Sequence, residues 1–151
     1  MFINPTVAAV TEATPDYASG DVCGGVMAFS MRTPGGGGII RRLGIKSLDA
    51  VGVASALYLF KDNPASSTVV ENGTLAVHAD DRAKIIDVVD IASADFITRT
   101  VAGLYVASKT LAIPFKFESS IRSVYAIFTP LGALNLSTVA SLEFQLGAEV
   151  D

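Results

Sequence analysis

The chain has no tryptophan, a single cysteine and a single histidine among its 151 residues, and only 17% of them are charged. Each shortage closes a class of function. Cys23 alone can form neither an intrachain disulfide nor a multi-cysteine metal site, and between Val22 and Gly24-Gly25-Val26 it reads as a buried, inert thiol. With His78 the sole imidazole, a Ser-His-Asp relay or a zinc centre would rest on one residue; a solvated or hydrogen-bonded ring beside a turn is the expectation. Without tryptophan, and with 8% aromatics, a sugar-stacking groove has little support. The net charge of -4 lacks the clustered Lys and Arg that displace phosphate counterions, so no nucleic-acid partner is expected. Arg41-Arg42, the one adjacent basic pair, reads as the exposed side of a strand or an ion-pairing site. No apolar run reaches the roughly 18 residues of a membrane span, and Met1-Phe2-Ile3-Asn4-Pro5 lacks the basic start and apolar core of a signal peptide; no membrane partner is expected.

What the chain does have is apolar content, 50% of residues, and a period-two pattern. Leu111, Ile113, Phe115 and Phe117 alternate with Ala112, Lys116 and Glu118; Leu142, Phe144 and Leu146 alternate with Ser141, Glu143 and Gln145. Such alternation lines the two faces of a half-buried strand. The expected fold is all-β: an antiparallel β-sandwich, jelly-roll-like, with an N-terminal arm and at most one short helix. Residues 1–15 read as an arm or edge strand, with a strand at Thr6–Thr11, and 16–151 as one sandwich domain. Further strands are expected at Val22–Met31, Ile39–Lys46, Val51–Phe60, Ser66–Val70, Phe96–Val101, Leu104–Ala107, Leu111–Glu118, Ile121–Phe128 and Val139–Gly147. A helical turn at Asp80–Lys84, capped by Asp80, leads into a strand ending at Ile91. Gly24-Gly25 predicts a bulge or a close backbone approach, and Ser119-Ser120 a tight hairpin. Val51–Phe60 is apolar on both sides, which puts it mid-core or at a subunit interface. The apolar surplus itself implies surface covered by partners.

Thr33-Pro34-Gly35-Gly36-Gly37-Gly38 is the strongest break in the pattern and reads as a mobile or contact loop. A phosphate-binding loop would need a following Lys and Ser/Thr and a helix, and these are missing. Asp80, Asp81, Asp87 and Asp90 match no calcium-loop spacing and are diluted by Arg82 and Lys84, so capping and solvation account for them. No catalytic residue, cofactor or metal is expected, and the chain reads as a non-enzyme.

The order of landmarks resembles small structural proteins of tailed bacteriophages. The residues that carry the likeness are Asp16-Tyr17-Ala18-Ser19-Gly20-Asp21-Val22-Cys23-Gly24-Gly25, Phe29, Gly38-Ile39-Ile40, Leu57-Tyr58-Leu59-Phe60, Asn63-Pro64, Asp80-Asp81, Lys84-Ile85-Ile86, Ser123-Val124-Tyr125-Ala126 and Ser141 to Gly147. Cys23, in place of an ordinary aliphatic residue, and the charges of Arg41-Arg42 depart from it. The resemblance implies a capsid decoration (cement) protein on the outer surface of the virion, a homotrimer whose partner is the major capsid protein. Phe2 and Ile3 of the arm and Gly35, Gly36, Gly37 and Gly38 of the loop are then the expected contacts. The alternative is a receptor- or carbohydrate-binding sandwich of a tail or fibre, with Tyr17, Tyr58, Tyr105 and Tyr125 as its aromatic platform. A hydrolase built around His78 is a third reading.

Overall fold

The structure is a computed structural model describing residues 1–9, 11, 16–31, 35–99, 103–118, 120–137 and 141–151. Alternating residues become strands throughout: β1 (Phe2–Ile3), β2 (Thr6–Ala8), β3 (Cys23–Ser30), β4 (Gly37–Ser47), β5 (Ser55–Phe60), β6 (Ile85–Ile91), β7 (Ile97–Thr98), β8 (Tyr105–Lys116), β9 (Ser123–Pro130) and β10 (Leu142–Val150). Among the described residues they form two antiparallel sheets. One is six-stranded, ordered β1-β10-β4-β8-β7 with β2 also on β10; the other is four-stranded, ordered β3-β9-β5-β6. The chain is therefore the all-β sandwich that the alternation implies.

The core lies between the sheets. Leu142, Phe144 and Leu146 of β10, Ile40, Leu43 and Ile45 of β4, and Ile113 and Phe115 of β8 form one side, and Met27, Phe29, Leu57, Leu59, Val124 and Phe128 the other. The rings of Phe128 and Phe144 meet across the gap at 5.2 Å. Each such side chain contributes roughly 1.5–3 kcal/mol by leaving water.

β5 is apolar on both sides because the protein covers both itself. Its second side, with Phe60, Val22 and Ile127 fully buried, lies under a strap of residues 61–78, whose Val69, Leu75 and Val77 pack there beside Tyr58 and Tyr125. Backbone bonds from Val22 to Gly73 (2.9 Å) and from Leu75 to Gly20 (2.9 Å) hold the strap down. The expected strand at Ser66–Val70 is reduced to one bridge, Thr68–Ala76, within it.

Other expectations need correction. The hairpin expected at Ser119-Ser120 does not pair the strands on either side of it, because β8 and β9 lie in different sheets; Ser119 itself lies outside the described residues. Leu104–Ala107 and Leu111–Glu118 are not two strands but one, β8. The polar Ser108-Lys109-Thr110 interrupts the pattern without ending the strand, because Lys109 reaches Asp95 (2.8 Å) and the Asp90 carbonyl (2.6 Å). Of Phe96–Val101 only Ile97–Thr98 is strand among the described residues, and β5 starts at Ser55 rather than Val51. The short helix, Ala79–Arg82, is capped by His78, whose Nδ1 accepts the Asp80 N–H at 3.2 Å; Asp80 is not the cap.

Gly24-Gly25 is both a bulge and a close approach. The β3–β9 register shifts between Cys23 and Met27, and both glycines have positive φ, +92° and +66°.

Candidate contact surface

Residues 1–9 lie along β10 in one unbroken antiparallel register. Met1 exchanges backbone bonds with Val150 (2.8 Å each way), the Pro5 carbonyl accepts the Leu146 N–H at 3.1 Å, and Ala9 donates to the Leu142 carbonyl at 2.9 Å. The N-terminal segment is thus an edge strand docked on its own sheet. Register then separates the two residues expected as contacts. Ile3 is opposite Ala148, which is opposite Ile40, which is opposite Ile113, and all four are buried beneath the sheet. Phe2 heads the neighbouring row, Phe2–Glu149–Ile39–Pro114, on the outer face, where it is 56% exposed. Ile3 belongs to the core, and Phe2 remains as surface.

The glycine run is likewise not a free loop. Gly37 and Gly38 belong to β4, between β8 and β10. A Cβ on Gly38 would collide with the Glu149 carbonyl and stand 3.0 Å from the Phe115 ring, and one on Gly37 would stand 2.9 Å from the Phe115 carbonyl. Close packing from both sides requires glycine there. Gly35, at φ +68°, donates to the Ile121 carbonyl at 3.2 Å, and the Gly36 carbonyl accepts the Phe117 N–H at 3.0 Å. Thr33 and Pro34 lie outside the described residues.

The fold nonetheless brings these two sequence features together, on either side of the C-terminal end of β10. Phe2, Ile3, Asn4, Pro5 and Ser30 line a depression of 370 Å³. Gly35 to Gly38, Ile39, Phe115, Lys116 and Asp151 line one of 420 Å³. Along the rest of the outer face, exposed ion pairs join Arg41 to Glu149 and Lys46 to Glu143, both at 2.9 Å, and each is worth about 0–1 kcal/mol in solvent.

The remaining polar candidates have structural partners. Asp81 is fully buried; its carboxylate accepts Lys84 Nζ at 2.7 Å and the Ser67 hydroxyl at 2.6 Å. Burial pushes that carboxyl up, but these bonds outweigh it and hold it below its ordinary 3.8, while Asp81 in turn raises Lys84 above its ordinary 10.5. Burial, reinforced by the Glu71 charge, pushes the Cys23 thiol up to about 12. Glu71, which carried no signal in the sequence, accepts the Tyr17 hydroxyl and the Gly24 N–H (2.7 Å), tying the strap to β3. Tyr17 is buried in this cluster, Tyr58 and Tyr125 pack beside the strap, and Tyr105 is half-buried in β8, so the four tyrosines make no exposed platform.

No protein-family model matches the chain, and no curated protein matches it. Among solved structures, one similar chain comes from the native virion of Kashmir bee virus at acidic pH, with 12% identity and a TM-score of 0.30, covering 100% of this chain and 68% of that one. Superposition this loose transfers nothing about that virion to this chain.

Proposed function

We propose that the chain is a structural protein of a bacteriophage virion, a decoration (cement) protein that sits on the outer head surface as a homotrimer and ties neighbouring major capsid subunits together. The observation that carries this reading is the apolar edge at the C-terminal end of β10, where Met1 and Phe2 are exposed beside the two depressions. The landmarks shared with tailed-phage structural proteins supply the partner. Ligands that bind only the closed form of a lattice stabilise it by mass action, and many copies multiply a modest contact energy. The rigid sandwich presents the edge without an ordering cost, since β1 is already held on β10.

The test is to assemble heads from the major capsid protein of the same phage, with and without this chain, and to compare heat tolerance and surface occupancy. Occupied heads that survive to higher temperature support the reading. Unoccupied heads of unchanged tolerance overturn it.

A further inference from the structure

We infer that Asn72-Gly73 is a self-modification site gated by the strap. Docked on the four-stranded sheet, the strap holds the pair unreactive; once lifted, the pair converts to an isoaspartyl linkage that prevents the strap from docking again. This is independent of the decoration reading.

The chain has four asparagines, and the residue after each decides its reactivity, because the backbone nitrogen of that residue must attack the asparagine Cγ. Pro5 and Pro64, after Asn4 and Asn63, have no N–H to lose, and the Leu136 side chain crowds the attack on Asn135. Gly73 has the N–H and no side chain. Its amide gives its proton to water, and the nitrogen lone pair bonds to Asn72 Cγ. The Cγ–Nδ2 bond breaks, ammonia leaves, and a five-membered imide remains. Water then opens either carbonyl of the ring. One opening gives an aspartyl residue; the other gives an isoaspartyl residue, whose backbone is one methylene longer.

The docked strap restrains the atoms that must move. The Gly73 N–H donates to the Val70 carbonyl at 3.0 Å, the Asn72 N–H donates to the Val22 carbonyl at 2.9 Å, and the Gly73 carbonyl accepts the Val22 N–H at 2.9 Å. The peptide between residues 72 and 73 is therefore pinned on both sides. Freeing it means lifting the strap, since the Leu75 N–H bonds the Gly20 carbonyl just beyond and Val69, Leu75 and Val77 pack over Val22, Phe60 and Ile127. The turn also explains why a reactive pair stands here. Asn72 has φ +55°, the one positive value outside glycine among the described residues, and asparagine tolerates that conformation better than most side chains do. After isomerisation the two Val22 bonds no longer fit together, because an added carbon separates the Asn72 nitrogen from the Gly73 carbonyl that they hold.

The test incubates the whole chain at mildly alkaline pH, folded and in urea, and follows deamidation by mass spectrometry of tryptic peptide 62–82. Asn72 is expected to react at least about tenfold faster in urea, since the folded rate is the intrinsic rate multiplied by the fraction of chains with the strap open. Leu75→Ala is expected to speed the reaction of the folded chain, whereas Ile3→Ala, which weakens the fold away from the strap, leaves it unchanged. Near-ultraviolet circular dichroism checks that both variants fold. Equal rates with and without urea overturn the gate, and equal acceleration by Ile3→Ala shows that the site opens only with the whole fold and overturns it too. The isoaspartyl chain, separated and returned to buffer, is expected to exchange its Val22 and Leu75 amides at least about tenfold faster than the parent. Parent-like protection there overturns the block to redocking. Asn72→Asp carries the new charge on an unlengthened backbone and is expected to stay close to the parent; equal loss of protection in that variant overturns the backbone account.

Discussion

Gly24 and Ala9 approach so closely that a Cβ on residue 24 would lie 2.5 Å from the Ala9 Cβ. The N-terminal segment can run beside β3 only because residue 24 has no side chain. The same backbone, at φ +92°, turns the Gly24 N–H onto Glu71, so one glycine fixes the N-terminal segment, the bulge and the strap together.

Gly24→Ala combines that clash with a left-handed backbone and is expected to cost about 2–4 kcal/mol, read as a lower urea midpoint. Gly20→Ala isolates the backbone part, since φ there is +84° but no atom lies within 4 Å; about 1 kcal/mol is expected. Equal losses at the two positions would show that the Ala9 contact does not matter.

Phe2 and Ile3 are adjacent in sequence and opposite in consequence. Ile3→Ala is expected to lose about 2–4 kcal/mol of folding stability, while Phe2→Ser changes it by less than about 0.5 kcal/mol. Attachment to heads should respond to Phe2→Ser. Urea denaturation and head sedimentation measure the two effects separately.

Asp81 makes stability depend on acid. Its carboxyl sits below its ordinary 3.8 when folded, so its contribution is present above that value and is lost as pH falls through the lower, folded one. Lys84 works at the other extreme: its folded pKa is raised above 10.5, so its share is complete below that pH and fades as pH rises through the folded value. Asp81→Asn is expected to be less stable than the parent at pH 7, with the gap narrowing below about pH 4. Urea midpoints across pH 2.5–7 check this, and a gap constant with pH would refute it.

Cys23, with its thiol pushed up to about 12, is almost wholly protonated at pH 8. The native chain is expected to resist a disulfide reagent at that pH and to react within minutes once unfolded in urea. Fast labelling of the folded chain would contradict the buried placement.

Much of the fold was legible because a strand advertises itself locally. Leu142, Phe144 and Leu146 name their own buried face, and Gly24-Gly25 announces its own irregularity. Ser119-Ser120 misled because a turn between two alternating runs looks the same whether the chain doubles back or crosses to the other sheet. Ser108-Lys109-Thr110 misled because the partners of Lys109, Asp95 and the Asp90 carbonyl, are 14 and 19 residues away. Glu71 carried no signal for the same reason: its partners Tyr17 and Gly24 are 54 and 47 residues distant.

Composition and period alone determined that this chain is an antiparallel β-sandwich with a single buried thiol, because burial selects side chains one residue at a time and leaves its record in their order. Only tertiary structure decided that Ile3 is core while Phe2 is surface, and that Gly37 and Gly38 are packed strand rather than loop. Those outcomes depend on register and hydrogen-bond phase between segments far apart in the chain, and a shift of one residue in any pairing would reverse them.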